Sequence, residues 1–291
     1  MKIVTLTLSP AVDIEYRAAG EITAGLNRTS GQSVTAGGKG INVSRSVLRC
    51  AEKENRAVDL RTVAPLGGET GELLASLLRK EGMEITAVLI AENTRVNVSL
   101  IPENGESLEI NAPGTPVGDA LSEIEAAVLD GIGPGDCVVI AGSCPKDVPK
   151  SYPSELVGKV KQTGAEAVLD CDGEALRIAV NAPVKPDLIK PNNEELAALT
   201  GCSPDDPREL ARAAEGLGIP TVITTRAGED PLLTDERGTI SFAQEKRPVV
   251  RLKGAGDTFL GAFVYARYVW GDDDMAMEFA SIVAGDYVAG K

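Results

Sequence analysis

The chain has 291 residues, 43% of them hydrophobic, and a formal net charge of −14 at pH 7. This charge argues against nucleic acid or an anionic membrane as a partner, and no apolar run reaches the roughly 18 residues that span a bilayer. Histidine is absent, so proton transfer must fall to a carboxylate, Lys, Tyr or Cys. The five cysteines form no C-x-x-C pair that would suggest a zinc or redox site. The start, MKIVTLTLSP, has no signal-peptide pattern, and we expect a cytoplasmic protein.

Short β-branched runs alternate with helical patterns along the chain. The runs predicted as buried strands are KIVTLTL, VDLRTVAPLG, CVVIAGS, EAVLD, PDLIKP and TVITT. The runs predicted as helices are GELLASLLRKEG, DALSEIEAAVLDGI, SYPSELVGKVKQTG, NEELAALTG and DPRELARAAEGLG, and KGAGDTF is expected to open the last long helix. This alternation predicts a doubly wound α/β fold, with a mainly parallel sheet and helices on both faces.

Two segments, about 12–35 and 94–112, interrupt this alternation. Hydrophobic residues alternate at positions 12, 14 and 16, again at 96, 98 and 100, and at 108 and 110. The last two groups are joined across Asn104-Gly105, a favoured hairpin turn. We therefore expect a small inserted β-sheet that forms a lid on a single domain spanning 1–291, because no linker or repeat divides the chain.

Polar and glycine-rich clusters follow most of the predicted strands. They are TAGGKGINVSR, AGSCP, DCDGEAL, KPNNEEL, TRAGED and KGAGDTF. Ligands of open α/β sheets bind at the carboxyl ends of the strands, so these clusters predict one active site at that edge. The P-loop and the dinucleotide fingerprint are both absent, because Lys39 is followed by Gly40 and the run after Gly256 has no third glycine.

The cluster at 253–259 places small residues just before a helix. The first N–H groups of a helix have no internal partner, and small residues let a phosphate approach them, so Gly254, Ala255 and Gly256 predict an anion hole. Asp257 would then stand where a hydroxyl that attacks the phosphate gives up its proton, as a general base. The alternative is a plain turn in which Asp257 caps the helix.

The motifs TLTLSPAVDIEY, AGGKGINVSR, TRVNV, AGSCP, VLDCDGEAL, LIKPNNEEL and GAGDT occur in this order along nearly the whole chain. In these motifs the chain resembles the ribokinase-like sugar kinases, in the phosphofructokinase B branch that contains 1-phosphofructokinase and tagatose-6-phosphate kinase. The resemblance implies a ribokinase-like fold with a β lid. It also implies transfer of the ATP γ-phosphate to a hydroxyl of a phosphosugar such as fructose 1-phosphate, tagatose 6-phosphate or fructose 6-phosphate.

The resemblance also assigns roles to individual residues. Asp257 matches the base and Gly254–Gly256 the anion hole. The residues that match sugar contacts are Asp13, Gly37, Gly38 and Asn42, for which ordinary turn and loop roles remain the alternative. The arginines Arg28 and Arg95, together with Lys39, supply positive charge in an acidic chain and suggest an acceptor that already carries a phosphate, unless they are solvated lid residues.

The nucleotide is expected to contact three residues, namely Lys190, Thr225 and Gly228. Asn192 and Glu195 fit a capping box, but in the family this N-x-x-E pattern binds Mg²⁺, through water, and both readings are compatible. The expected cofactors are therefore ATP and Mg²⁺. No nucleic-acid or membrane partner is expected, and the lid edge is a candidate surface for a homodimer.

Several features depart from the family pattern. Ala227 and Asp230 put bulk and negative charge in the nucleotide loop, Lys253 replaces an uncharged residue, and the chain stops at DYVAGK, earlier than relatives do. Nucleotide affinity is therefore open. The alternatives are a catalytically weak sugar- or nucleotide-binding regulatory protein on the same fold, a kinase of a neutral sugar or nucleoside, and a dinucleotide-dependent oxidoreductase.

Overall fold

The computed structural model describes residues 1–103 and 107–291. Each run that the sequence predicted as a buried strand overlaps a strand of the structure. The strands are β1 (Lys2–Thr7), β2 (Ala11–Ala18), β3 (Thr29–Gly37), β4 (Asp59–Leu66), β5 (Thr86–Leu89), β6 (Val96–Ile101), β7 (Leu108–Ile110), β8 (Cys137–Ala141), β9 (Glu166–Asp170), β10 (Leu188–Ile189), β11 (Thr221–Arg226), β12 (Glu229–Asp235) and β13 (Gly238–Ser241).

The helices follow the strands in the alternation that the sequence predicted. They are α1 (Lys39–Lys53), α2 (Gly68–Lys80), α3 (Leu121–Leu129), α4 (Tyr152–Gln162), α5 (Gly173–Asn181), α6 (Asn193–Thr200), α7 (Pro207–Gly216), α8 (Ala255–Trp270) and α9 (Asp273–Val288). Within the described ranges, no helix is both long enough and apolar enough to cross a membrane.

The main sheet has nine strands in the order β13-β12-β11-β10-β9-β8-β1-β4-β5. The seven strands from β11 to β5 are parallel, and β12 and β13 extend the sheet by antiparallel pairing. Strand order jumps from β8 to β1 to β4, so the connections of the two halves leave the sheet in opposite directions there. Such a reversal opens a crevice at the carboxyl ends of the strands.

Helices cover both faces of the main sheet, as predicted. Successive side chains of a strand point to opposite faces, so Val4 joins a core with α3 to α7, whereas Ile3 joins a core with α1, α8 and α9. Gly261 permits the close approach of α8 to α1, because a Cβ there would lie 2.5 Å from the carbonyl oxygen of Val43. This packing fixes the amino-terminal ends of α1 and α8 relative to each other.

A second sheet has four strands in the order β3-β2-β6-β7, which we call the small sheet. It corresponds to the two segments predicted as an insertion. Val12 and Ala36 of this sheet pack with Ile41 and Leu74, so its base is continuous with the core of the main body. The predicted turn at Asn104-Gly105 lies outside the described residues.

The expectation that α8 is the last long helix was wrong, because α9 follows after two residues. Gly271 ends α8 with a left-handed φ of 65°, and the side chain of Asp272 accepts a hydrogen bond from the backbone N–H of Met275 to cap α9. These are ordinary stop and start signals. The sequence reading also missed the β12-β13 hairpin, whose strands are paired only with each other and with β11.

Candidate active site

The predicted site residues lie where parallel strands end. Asp170 is the last residue of β9, and Lys190 directly follows β10. The carboxyl end of β11 lies beside them, because Thr225 donates its N–H to the carbonyl of Pro191 at 3.1 Å. The amino-terminal ends of α1 and α8 reach the same edge, so tertiary packing gathers residues from five separate parts of the chain.

The amino terminus of α8 has the open backbone that an anion needs. Gly254 has a left-handed φ of 83°, and no side chain caps this helix. Ala255 donates its N–H to the carbonyl of Leu252 at 3.0 Å, whereas the N–H groups of Gly254 and Gly256 have no backbone acceptor within the described residues. A Cβ at position 256 would lie 3.3 Å from the Lys190 Nζ, so an ammonium group faces the same opening.

Asp257 lies in the first turn of α8, and its side chain does not cap the helix. Its Oδ2 accepts a hydrogen bond of 2.8 Å from the Asn42 Nδ2, and the residue is only 9% exposed. Burial, followed by repulsion from Asp170, raises the pKa of Asp257, while the Asn42 hydrogen bond and the charges of Lys190 and Lys39 oppose this rise. A carboxylate with a raised pKa beside an anion hole is suited to accept a proton.

Asp170 lies between two lysines at the floor of the site. Its two carboxylate oxygens are 3.5 Å from the Nζ of Lys39 and of Lys190, and Asp170 is 1% exposed. Neither oxygen has a hydrogen-bond partner within the described residues. Burial lowers the pKa of Lys39, but the nearby carboxylates, Asp170 first, outweigh it and the pKa is raised. The Lys39 ammonium group therefore remains charged, and the Lys190 ammonium group lies on the other side of the same carboxylate.

Asn192 and Glu195 form the predicted capping box at the start of α6. The Asn192 Oδ1 accepts from the Glu195 N–H, and the Glu195 Oε2 accepts from the Asn192 N–H, both at 2.8 Å. The Glu195 Oε1 has no hydrogen-bond donor within the described residues. One free carboxylate oxygen suits Mg²⁺, which keeps most of its water and takes few protein ligands.

Asp13 on β2 lies at the junction of the small sheet with the main body. Its Oδ1 accepts from the Asn97 Nδ2 at 2.9 Å, and its Oδ2 is 3.6 Å from the Lys253 Nζ. A Cβ at Gly37 would lie 2.4 Å from the same Oδ2, so any other residue there would displace the Asp13 carboxylate. Gly38 follows with a φ of 136°, which also favours glycine.

The two arginines predicted to bind a phosphate have different surroundings. Arg95 is half-buried and donates to the carbonyls of Ala112 and Ser9 at 2.9 and 3.0 Å, while its Nε has no acceptor within the described residues. Arg28 is exposed just before β3, and the structure does not bring its side chain to the other predicted site residues it describes. Arg95 thus points into the junction near Asp13, and Arg28 remains at the rim of the small sheet.

The predicted nucleotide loop is a tight turn between β11 and β12. Arg226 pairs with Glu229 across it, and Gly228 is exposed with a φ of 73°. The Asp230 Oδ1 accepts from the Gln244 N–H at 2.8 Å, so this carboxylate anchors the segment that leads from β13 to α8. The sequence did not reveal this anchoring role.

Three residues of the site were not identified from the sequence. Asp170 lies in the motif VLDCDGEAL, Asn97 in TRVNV and Arg45 in AGGKGINVSR. Asp170 had a readable signal, since it is a carboxylate at the end of a buried strand. Asn97 and Arg45 had none, because their importance lies in contacts with Asp13 and Asn42 that only the folded chain creates.

Two cavities of about 540 and 430 Å³ open at the opposite edge of the main sheet, around Glu166 and Arg267. The side-chain cations that line them are already paired with carboxylates. These pairs are Lys161 with Asp187, Arg237 with Asp235, and Arg267 with Glu166. Neither cavity therefore offers the uncompensated positive charge that a phosphorylated ligand needs.

The family model, the related sequences and the solved structures that resemble this chain all describe sugar kinases. A family model described as pfkB family carbohydrate kinase matches residues 7–288. The chain is 33% identical to 1-phosphofructokinase of Bacillus subtilis (strain 168) over 90% of this chain and 84% of that protein, and 29% identical to D-tagatose-1-phosphate kinase of Klebsiella oxytoca over 99% and 92%. Phosphofructokinase-2 from Escherichia coli, solved in complex with substrates and products, has a TM-score of 0.91 at 26% identity, covering 99% of this chain and 94% of that one.

Proposed function

The chain belongs to the pfkB family of carbohydrate kinases, and from this premise we propose that it moves the γ-phosphoryl group of ATP to a hydroxyl of a phosphosugar with Asp257 as general base. It is a sugar kinase of the phosphofructokinase type. The observation that carries the assignment of Asp257 is its position, buried in the first turn of α8 beside Gly254, Gly256 and Lys190. A base on this helix turn would take the proton of the attacking hydroxyl, and an anion hole on the same turn would stabilise the transferring phosphoryl group.

In the proposed reaction the acceptor hydroxyl loses its proton to the Asp257 carboxylate. Its oxygen then forms a bond to the γ-phosphorus of ATP, and the bond between that phosphorus and the bridging oxygen of ADP breaks. The free N–H groups at the start of α8 and the ammonium groups of Lys190 and Lys39 stabilise the negative charge of the transferring group. Asp257 later releases its proton to solvent.

Family members use ATP and typically Mg²⁺, and the residues here fit both. Thr225 and Gly228 border the space for the nucleotide. When bound, Mg²⁺ would be held through water by Asn192 and Glu195 and would neutralise phosphate charge. The capping box that these two residues form does not compete with this role, since it leaves the Glu195 Oε1 free.

The small sheet serves as a lid in this proposal, over a kinase unit that spans 1–291. Asp13, Gly37, Gly38 and Asn42 would contact the sugar. Arg95, which already points into the junction near Asp13, supports an acceptor phosphate, and Arg28 and Lys39 add positive charge. The relatives' names extend the candidate acceptors to fructose 1-phosphate, fructose 6-phosphate, tagatose 6-phosphate and tagatose 1-phosphate.

The direct test is release of ADP from Mg-ATP in the presence of each of these phosphosugars, with fructose, tagatose and ribose as neutral controls. We expect turnover with at least one phosphosugar and much less with every neutral sugar. Equal rates with a neutral sugar would favour a kinase of neutral sugars or nucleosides. Binding of the sugar without any turnover would favour the regulatory alternative, for which Ala227 and Asp230 in the nucleotide loop are the motivating observation.

Arg95→Ala tests the acceptor phosphate. A charge-assisted fork contributes roughly 1.5 to 3 kcal/mol, so we expect kcat/KM to fall by about 10- to 150-fold with the best phosphosugar. The variant also loses the bonds to Ala112 and Ser9, and this structural cost falls equally on every substrate. A matching loss with a neutral sugar would therefore contradict a phosphate contact at Arg95.

A further inference from the structure

Arg45 lies on α1, one turn after Asn42, and connects three parts of the site. Its NH1 donates to the Asn42 Oδ1 at 2.6 Å, and its NH2 donates to the Ala36 carbonyl at the end of β3 at 2.9 Å. Its Nε forms an ion pair with Glu81 at the end of α2. The side chain is only 16% exposed, so it is held in one geometry.

The contact with Arg45 determines which way the Asn42 amide points. A guanidinium group only donates hydrogen bonds, so the Asn42 atom that faces it must be the carbonyl oxygen. The amide nitrogen must then face the other way, toward the Asp257 Oδ2 at 2.8 Å. Without Arg45 the amide is free to turn by 180° and bring its oxygen against the carboxylate, which is repulsive.

We propose that Arg45 is a positioning residue for the phosphoryl transfer, because it fixes the amide of Asn42 so that Asn42 donates to Asp257 and holds this carboxylate for proton transfer. The inference rests on the proposed function of Asp257. It assigns Arg45 a role without contact to substrate. The bond from Arg45 to Ala36 also ties the end of the small sheet, next to Gly37, to the same helix.

The charged groups that face Asp257 determine the expected pH effect. Asp170 on β9 repels its negative charge, while Lys190 after β10 and Lys39 on α1 attract it. Asn42 adds the hydrogen bond that favours the ionised form. Loss of Arg45 weakens this bond, so more Asp257 is protonated at a given pH. The acid limb of the kcat/KM profile should then move to higher pH, since a general base acts only when it is deprotonated.

The test compares Arg45→Met with Arg49→Met, which removes an exposed arginine one turn further along the same helix. We expect Arg45→Met to lower kcat by about 10-fold and to move the acid limb upward, with little change in the KM for ATP. Arg49→Met should change neither quantity. If Arg45→Met proves unfolded in a melting experiment, Arg45→Lys, which keeps the charge but has no fork, replaces it with a smaller expected loss.

A double-variant cycle separates positioning from a general structural role. If Arg45 acts through Asn42, Arg45→Met adds little further loss of kcat in an Asn42→Ala background. Losses that multiply, or an acid limb that does not move, would overturn the proposal. If the wild type transfers no phosphate, the proposed function fails, and NMR still decides the inference. The ¹³C-detected pKa of the Asp257 carboxyl should rise in Arg45→Met and not in Arg49→Met; an unchanged pKa would overturn it.

Discussion

At the residue scale, the charge of Asp257 is set by opposing neighbours. Burial and Asp170 favour the neutral form, while Asn42, Lys190 and Lys39 favour the carboxylate. The result is a buried carboxyl group with a raised pKa that lies close to two lysines. This combination is typical of functional sites. A capping aspartate would instead bond to its own helix, which Asp257 does not do.

Asp257→Asn removes the proposed base while it keeps the side-chain shape. We expect turnover to fall by roughly 100-fold or more, since general-base catalysis contributes factors of this size, and the melting temperature to change little. The measurement is ADP release with the best phosphosugar, with the exposed Asp119→Asn as control. Turnover close to that of the control would exclude Asp257 as the base.

Asp170→Asn tests the repulsion between two buried carboxylates. The negative charge of Asp170 raises the pKa of Asp257, so its removal should lower this pKa and move the acid limb of kcat/KM to lower pH. The rate at the optimum should also fall, because Lys39 and Lys190 lose their shared partner. Asp172→Asn, an exposed carboxylate two residues further on, is the matched control. An upward or absent shift would contradict the assigned repulsion.

At the element scale, the segment from β13 to α8 leads into the backbone proposed as the anion hole. Asp230 anchors this segment through the Gln244 N–H, and near its end the Tyr287 hydroxyl on α9 donates to the carbonyl of Lys253 at 2.8 Å. The backbone before Gly254 is thus held at both ends by residues of other elements. The open N–H groups of α8 depend on these contacts as much as on the local glycines.

Asp230 both carries a charge in the predicted nucleotide loop and accepts a hydrogen bond from Gln244, and two variants separate these effects. Asp230→Asn keeps an oxygen that accepts from Gln244 and removes the charge, so the KM for ATP should fall by about 2- to 5-fold if the charge repels the nucleotide phosphates. Asp230→Gly also removes the anchor, so its KM should fall less or rise. Michaelis constants for ATP at fixed phosphosugar distinguish them. An unchanged KM in Asp230→Asn would mean that this loop does not face the nucleotide.

At the scale of the whole molecule, the acidic chain places a group of lysines at the edge where a phosphate is expected. Lys39, Lys190 and Lys253 gather at the carboxyl edge of the main sheet, while the cations at the opposite edge are paired. The small sheet adds Asp13 and Arg95 from above. Its outer strand β7 carries Leu108 and Ile110, which are 50% and 56% exposed. Exposed apolar side chains at a sheet edge favour association with another chain.

The lid edge therefore remains our prediction for a homodimer. Changing both Leu108 and Ile110 to serine should shift the protein toward monomer in sedimentation velocity, because apolar area at the interface is lost. Leu89→Ser, at an exposed leucine on the edge strand β5 of the main sheet, should not. Equal behaviour of the two variants would remove β7 from the interface.

The amino-acid sequence predicted most of the alternating strands and helices, the sheet edge at which the polar clusters meet, and the position of Asp257 in the first turn of a helix that small residues open. These are local properties, because hydrophobic period, small residues and helix ends are written within a few positions of each other. The capping box of Asn192 and Glu195 was readable for the same reason. The signals at Gly271, which ends α8, and at Asp272, which caps α9, are equally local but were not recognised in the sequence.

The contacts between side chains that are far apart in the sequence became visible in the tertiary structure alone. Asn42 and Asp257 are 215 positions apart, and their hydrogen bond exists because α1 packs on α8. The ion pairs of Asp170 with Lys39 and Lys190 require β9 to lie beside β10 and close to the start of α1. Contacts of this kind depend on the order of strands in the sheet, and local pattern does not encode that order.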